Sequence, residues 1–189
     1  MTKTESSAVV AHEDTVLCRE VLAGNTAAFA LLATKYRKRI FSLGYSFFKN
    51  ADDTEDFVQD VLVKTYTSLG SFRGESLFST WLMRIAYNTA INSIKRRREY
   101  TSLAEDFEIM DTSGNPEDVH LRSCSLEAIR EALDTLPERY RVCVDMYFFY
   151  DMPYADISEV TGLPVNTIKS HVFRAKKLLR GRLDEGDKK

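Results

Sequence analysis

One face of a predicted helix, which begins near residue 80, carries the side chains that indicate a binding function most clearly. At 100° per residue, one ring, two amides and two cations lie on or beside that face: Trp81, Asn88, Asn92, Arg84 and Arg96. Rings stack on bases, amides read base edges and cations hold phosphates, so this mixture suits a single-stranded nucleic acid. Trp81 could instead be a hydrophobic plug against the loop before the helix, because aromatic residues are more often core.

A second candidate surface lies near the C-terminus, where Pro153 to Leu179 has the pattern of a helix-turn-helix. Gly162 supplies the turn, where a positive φ costs little only for glycine. The second helix presents hydroxyl, aromatic and cationic side chains away from its apolar stripe: Thr167, Lys169, Ser170, His171, Phe173, Arg174 and Lys177. A recognition helix meets the DNA major groove with such groups. A plain helical hairpin with a basic face would share the charges, but an outward Phe173 is costly without a partner. Phe173 could equally be a core residue if the helix is rotated from this estimate.

An earlier helix has the opposite character. Its exposed face is predicted to carry Asp56, Gln59, Asp60 and Val63. Acidic residues in a first turn are stabilised by the helix dipole alone, but Asp60 lies beyond that turn and beside an exposed valine. The pattern favours docking onto a basic protein surface.

Helical periodicity dominates the elements that must position these faces, and no strand-like alternation of useful length occurs. Asn25 can cap a helix with an apolar stripe, Asp52 and Glu55 resemble a capping box for the next, and Ser79 can cap a third that reaches Arg98. Asn115 then predicts the cap of a new helix, with a proline in its first turn. We therefore predict an all-α fold.

Periodicity is lost after the third helix, which predicts two small helical domains, 10–98 and 117–183, joined by a flexible acidic linker, 99–116. The chain has 189 residues and a net charge of −2, but its charges are segregated. Bases cluster at 95–98 and 163–183, and residues 99–121 hold seven acids and no Lys or Arg. Two separate basic helices favour a nucleic-acid partner.

Several classes of protein are excluded or disfavoured. No run approaches the ~20 apolar residues that cross a bilayer, and no secretory signal is visible. The three cysteines, Cys18, Cys124 and Cys143, have no zinc spacing, so a reducing cytoplasm is expected. The three histidines are scattered and no Gly-rich phosphate loop follows a strand, so we expect neither an enzyme nor a cofactor or metal.

Two sets of motifs, in order along one chain, resemble the bacterial sigma-70 family. Three segments resemble its region 2, and especially that of the small group-IV, or extracytoplasmic-function, sigma factors: 52–62 (DDTEDFVQDVL), 72–76 (FRGES) and 78–86 (FSTWLMRIA). Three more resemble its region 4: 136–141 (LPERYR), 168–171 (IKSH) and 174–176 (RAK). The resemblance covers about residues 20–98 and 125–183.

The resemblance implies a transcription initiation factor that binds core RNA polymerase and directs it to promoters. The acidic face would dock on the clamp helices of the largest subunit, with a further contact at the flap region. The 72–76 loop and the 81–96 face would hold the melted minus-10 strand, with one base flipped out. The residues of this minus-10 site would be Phe72, Arg73, Gly74, Glu75, Ser76, Trp81, Arg84, Asn88, Asn92 and Arg96. The 164–180 helix would read the minus-35 element, and the acidic linker would thread through basic polymerase channels.

The family also implies an anti-sigma factor as a partner and a place in the bacterial cytoplasm, with tethering at the inner membrane through that factor. Three positions depart from the family pattern: Ser158 replaces the usual alanine, Asn166 replaces glycine, and His171 replaces arginine. His171 would weaken a phosphate contact or make it pH-sensitive. A stand-alone helix-turn-helix regulator is the alternative. It would explain residues 137–180 but not the 71–79 loop or the face with Trp81 and Asn88, and it predicts tight duplex binding without polymerase.

Overall fold

The computed structural model describes the backbone of residues 3–103 and 132–186, and side chains within 12–97 and 132–181. Seven α-helices have described bounds there: α1 Lys3–Leu22, α2 Thr26–Phe48, α3 Ala51–Ser68, α4 Phe78–Leu103, α5 Glu138–Val144, α6 Tyr154–Thr161 and α7 Val165–Gly186. Residues 132–134, before α5, are helical as well. A 3₁₀ turn, Leu69–Ser71, follows α3, and a π-helical segment, Asp145–Phe149, continues α5. No strand occurs in these two stretches, so the all-α prediction is confirmed.

Helix boundaries follow side-chain caps, and two of the predicted caps are wrong. Asn25 caps α2 as expected, with its side chain accepting from the backbone N–H of Ala27 at 3.1 Å. At α3 the cap is Asn50, whose Oδ1 accepts from the N–H of Asp52 at 2.8 Å, so Asp52 belongs to the first turn. Glu55, the other half of the predicted capping box, pairs with Arg37 of α2 instead.

Helix α4 begins at Phe78 rather than after a Ser79 cap, and it continues to Leu103 rather than ending at Arg98. The first five residues of the predicted linker, 99–103, are therefore helical. The rest of that linker, and the helix start predicted at Asn115, lie outside the described residues, so the proposed domain boundaries stay a prediction.

The apolar stripes predicted from periodicity form the core of α2, α3 and α4. Their buried residues include Leu32, Tyr36, Ile40, Leu43, Val58, Leu82, Ala86 and Ala90. Within this core Tyr36 donates to the buried Asp14 carboxylate, which also accepts from Lys35 at 2.6 Å. This carboxylate is thus paired, as burial of a charge demands.

Gly44 lets α2 and α3 approach closely. A Cβ added at Gly44 would lie 2.8 Å from Cε1 of Phe57 and 3.1 Å from Cγ2 of Thr54. Both neighbours belong to α3 and are buried. The packing of these two helices, and so the position of the acidic face of α3, depends on the missing side chain.

The C-terminal helices form the predicted helix-turn-helix. Gly162 ends α6 with a φ of +72°, and Ile157 and Ile168 are buried between the two helices. Ser158, where the family usually has alanine, donates from Oγ to the carbonyl oxygen of Leu163 at 2.6 Å. The serine therefore ties α6 to its own turn rather than disturbing it.

The helices on either side of residues 104–131 pack against each other. Tyr150 is 6% exposed and donates from Oη to the carbonyl oxygen of Arg39 in α2 at 2.8 Å. Lys49 Nζ lies 3.4 Å from a carboxylate oxygen of Asp134. Buried apolar residues of both groups form one continuous core.

Candidate nucleic-acid interface

The exposed face of α4 carries a regular row of polar side chains. Arg84, Asn88, Asn92 and Arg96 are all exposed, and each lies four residues from the next. This spacing places neighbours one above another on a helix, over a length of about 18 Å. The row thus runs cation, amide, amide, cation, and it keeps the groups that suit a nucleic-acid strand on one exposed side of the helix.

A cavity of about 390 Å³ lies at the N-terminal end of this row. Its walls are Ser71, Phe72, Arg73, Glu75, Ser76, Trp81, Arg84 and Glu159. The loop that forms one wall turns at Gly74, where φ is +73°. Arg73 and Glu75, on either side of this glycine, are about four-fifths exposed. The volume falls in the usual range for sites that hold a small organic group, so a base could enter from the adjoining face.

Trp81 is 9% exposed, so its ring is mostly buried rather than displayed on the outward face. It packs against Phe72 of the loop, with ring centroids 5.3 Å apart, and against Phe78 at 5.9 Å. The loop folds back over the start of α4 and covers the indole. The packing agrees with the hydrophobic-plug alternative, while the residue still forms part of the cavity wall.

Helix α6 supplies two carboxylates to this region that the sequence did not assign to any site. Glu159 Oε1 lies 3.3 Å from Nη1 of Arg84, with both side chains a little under half exposed. Thr80 Oγ1 donates to Asp156 Oδ2 at 3.1 Å. The three-residue spacing of Asp156 and Glu159 was visible in the sequence, but their partner helix was not.

The acidic face of α3 is fully displayed. Asp56, Gln59, Asp60 and Val63 are all exposed, and Val63 retains 62% of its accessible surface. Tyr66 extends this apolar end and is 46% exposed, a contribution that the sequence analysis missed. A single exposed apolar side chain is ordinary on a protein surface, but Val63 and Tyr66 are neighbours on one side of α3, so together they suit a surface that docks another protein.

Helix α7 displays a face with a ring at its centre. Lys169, Ser170, Phe173, Arg174 and Lys177 surround a shallow depression of about 560 Å³. Phe173 is 70% exposed, the largest exposed fraction among the large apolar residues whose side chains are described. The opposite side of the helix is buried through Ile168, Val172 and Ala175. Thr167 is half-buried at the start of the helix.

His171 turns toward α5 instead of joining the exposed face. Its ring centroid is 5.1 Å from that of Tyr140, and Nδ1 lies 3.7 Å from Sγ of Cys143. Partial burial lowers the pKa of the imidazole, and the charges of Arg139 and Arg174 lower it further. At neutral pH the ring is therefore mainly uncharged, which does not favour the phosphate contact considered from the sequence.

The described residues hold no group of three or more His, Cys, Asp or Glu side chains that could bind a metal ion. Among the helices described, none combines the length and apolar character that crossing a membrane requires.

Comparison with known proteins gives a consistent result. The family model "Sigma-70 region 2" matches residues 32–100, and the model "Sigma-70, region 4" matches residues 126–179. The RNA polymerase sigma-H factor of Pseudomonas aeruginosa is 34% identical over 178 residues, which cover 89% of this chain and 92% of that protein. The ECF RNA polymerase sigma-E factor of Haemophilus influenzae is also 34% identical, over 90% of this chain and 95% of that protein.

Solved structures show the same fold. The sigma factor RpoE of Bartonella quintana, crystallised with the anti-sigma factor NepR, is similar with a TM-score of 0.70 and 24% identity. That similarity covers 82% of this chain and 96% of the other. CnrH, in complex with the cytosolic domain of CnrY, is similar with a TM-score of 0.63 and 24% identity, over 92% and 98% of the two chains. By its matched regions and its relatives, the chain belongs to the extracytoplasmic-function sigma factors of the sigma-70 family.

Proposed function

We propose that this sigma factor binds core RNA polymerase, directs it to specific promoters, melts the minus-10 element and reads the minus-35 element. The observation that carries the proposal is the presence of two different nucleic-acid faces on one chain. The row on α4 suits a single strand, and the face of α7 suits a duplex. A factor that opens promoters needs both.

At the minus-10 element, the row from Arg84 to Arg96 follows the melted non-template strand. The arginines hold phosphates, while Asn88 and Asn92 read base edges through donor and acceptor groups. One unstacked base enters the cavity beside Phe72 and Trp81. Flipping a base costs a few kcal/mol, which stacking and cationic contacts offset.

Polymerase binding falls to the face of α3. Asp56, Gln59 and Asp60 meet a basic surface on the clamp helices of the largest subunit, and Val63 provides apolar contact. Opposite charges steer such an encounter and select the partner. The free protein then depends on polymerase to reach DNA, because its own net charge of −2 provides little attraction for phosphates.

At the minus-35 element, α7 enters the major groove. Arg174 and Lys177 contact bases or phosphates, Lys169 and Ser170 flank them, and Phe173 can cover a thymine methyl group. The C-terminal domain also meets the flap region of polymerase. This assignment is supported by the exposure of all five side chains on one face.

The same proposal includes an anti-sigma factor as the partner that holds the protein inactive, located in the bacterial cytoplasm or tethered at the inner membrane. The protein itself acts by binding and has neither a catalytic step nor a cofactor. Promoter opening is driven by contacts with the melted strand.

Run-off transcription tests the proposal. Purified core polymerase is incubated with and without this protein on a fragment that carries the protein's own upstream region. A discrete transcript that requires the protein supports a sigma factor and locates both promoter elements. No transcript, together with tight binding of duplex DNA by the protein alone, would support the helix-turn-helix regulator instead.

Asn88→Ala separates promoter opening from polymerase binding. Loss of one hydrogen bond to a base should reduce open-complex formation by roughly fivefold, corresponding to about 1 kcal/mol. Polymerase binding, measured by native gel shift, should be unchanged because Asn88 lies on α4 and not on α3. Asp60→Arg is the reciprocal variant, which should lose polymerase binding; equal loss of polymerase binding in both variants contradicts the assignment of the faces.

A further inference from the structure

We propose that α6 is a built-in competitor of the promoter strand: in the free protein its carboxylates dock on the nucleic-acid face of α4 and cover the start of that face. The inference rests on the proposed function, because it assigns the row on α4 to single-stranded DNA. It adds a self-masking contact between two parts of one chain, the N-terminal helices α1–α4 and the C-terminal helices α5–α7, and it names the residues that make this contact.

The contact joins matched pairs of side chains. Asp156 and Glu159 are three residues apart and so lie on one side of α6, while Thr80 and Arg84 are four apart and lie on one side of α4. Glu159 meets Arg84 at 3.3 Å and Asp156 accepts from Thr80 at 3.1 Å. Glu159 therefore meets the first residue of the strand-binding row, while Asp156 holds α6 against α4 through the buried Thr80, one turn earlier.

Glu159 also forms part of the wall of the 390 Å³ cavity, together with Phe72, Trp81 and Arg84. Its carboxylate thus lies where the proposed function places a flipped base and its phosphate. A carboxylate and a phosphate form the same charge-assisted hydrogen bonds with a guanidinium group. The carboxylate of Glu159 offsets the charge of Arg84 and repels a phosphate that approaches it, so α6 and the promoter strand compete for this cation.

Other contacts hold the two parts together away from the cavity. The buried Tyr150 donates to the carbonyl oxygen of Arg39, and Lys49 lies 3.4 Å from Asp134. Since half-exposed ion pairs stabilise weakly, the buried apolar core supplies most of the association. The carboxylates of α6 set where the association occurs, because they face the cation of α4.

A zero-length carbodiimide cross-link measures the docked state in the full chain. The reagent joins a lysine amine to a carboxylate in contact, so it should link Lys49 to Asp134 only while the parts are docked. Lys35 and Glu13, whose charged atoms are 3.7 Å apart within the N-terminal group, serve as an internal standard. Mass spectrometry of the peptides gives the ratio of the two products.

Charge reversal should open the contact and a charge swap should restore it. Glu159→Arg places two cations together, and we expect the ratio of docked to open protein to fall by about fivefold, the upper range for an exposed ion pair. Arg84→Glu combined with Glu159→Arg should return the cross-link toward the wild-type ratio. A lowered ratio that the swap does not restore overturns the pairing of these two residues.

Binding of a single-stranded minus-10 oligonucleotide by the free protein gives an independent measurement. Affinity scales with the open fraction, so Glu159→Gln should bind more tightly by about twofold to fivefold. Glu20→Gln is the matched control, since it removes the same charge from an exposed residue at the end of α1 whose side chain accepts from Asn25. Equal affinities of the two variants would overturn the proposal.

The cross-link tests self-docking and the transcription assay tests the proposed function, so either proposal can be contradicted without the other. A missing Lys49–Asp134 product, in a protein that supports transcription and forms the Lys35–Glu13 product, overturns self-docking and leaves the proposed function intact. A cross-link that responds to the swap, in a protein that supports no transcription, contradicts the proposed function and leaves the docking contact intact.

Discussion

Gly44→Ala is the substitution whose effect the structure constrains most tightly. The added methyl group would lie 2.8 Å from Cε1 of Phe57, and Phe57 is itself confined by Phe48, with ring centroids 5.4 Å apart. Thr54, at 3.1 Å, is fully buried and belongs to the first turns of α3. Neither neighbour has space to withdraw, so α2 and α3 must move apart.

Two opposing contributions determine how much Gly44→Ala changes the free energy of unfolding. Overpacking of a filled core costs about 1–3 kcal/mol, and replacing glycine by alanine within a helix returns about 0.5–1 kcal/mol. The free energy of unfolding should therefore fall by up to about 2.5 kcal/mol, with about 1 kcal/mol as the central value. Polymerase binding should weaken as well, because the displacement moves the face that carries Asp56 and Asp60.

Urea denaturation followed by circular dichroism measures the change, and Gly181→Ala is the matched control. Gly181 also lies inside a helix, but a Cβ there would meet nothing within 4 Å, so alanine should stabilise by about 0.5–1 kcal/mol. The two substitutions should thus have opposite signs. Stabilisation by Gly44→Ala equal to that by Gly181→Ala would refute the close-packing argument.

Three further outcomes are expected. Arg174→Ala should weaken minus-35 binding by about 1–3 kcal/mol in gel-shift titrations if the guanidinium contacts a base, whereas equal loss on a scrambled site would assign it to phosphate. Burial raises the pKa of the Cys18 and Cys143 thiols to about 11, so both should resist iodoacetamide near pH 8 until urea is added; rapid native labelling would contradict their burial. Burial raises the pKa of the Asp145 carboxyl to about 6, so its neutral form favours the fold and stability should decline as pH rises from about 4 to 6. Asp145→Asn should remove the part of this decline that Asp145 causes, as measured by urea titrations at several pH values. An unchanged pH dependence of stability would mean that neighbouring groups compensate for the burial of this carboxyl.

The positions of the helices, and the side of each helix that is buried, could be predicted because both follow from local periodicity. The stripe through Leu32, Tyr36 and Ile40 is buried, and the row from Arg84 to Arg96 is exposed, as 100° per residue requires. Helix starts were less predictable. Asp52 and Glu55 fit a capping box in composition, but Asn50 comes first in the chain and its amide oxygen already accepts from the N–H groups of Asp52 and Asp53.

Contacts between distant segments could not be predicted, because nothing in a local pattern identifies the partner. Trp81 is covered by a loop residue, Phe72, whose backbone path depends on turns rather than on periodicity. The bond from Tyr150 to the carbonyl oxygen of Arg39 spans 111 residues of chain. His171 shows the same limit, since its contact with Tyr140 depends on how α7 lies against α5.

The separation of Arg84 and Glu159 by 75 positions has a consequence during synthesis on the ribosome. At about 5–20 residues per second, translation needs roughly 4–15 s to pass from one to the other. The two-residue connection between α2 and α3 keeps their contacts local, and local contacts form quickly. We therefore expect the nascent chain to present a folded N-terminal half, with its cationic row uncovered, for several seconds before α6 is made.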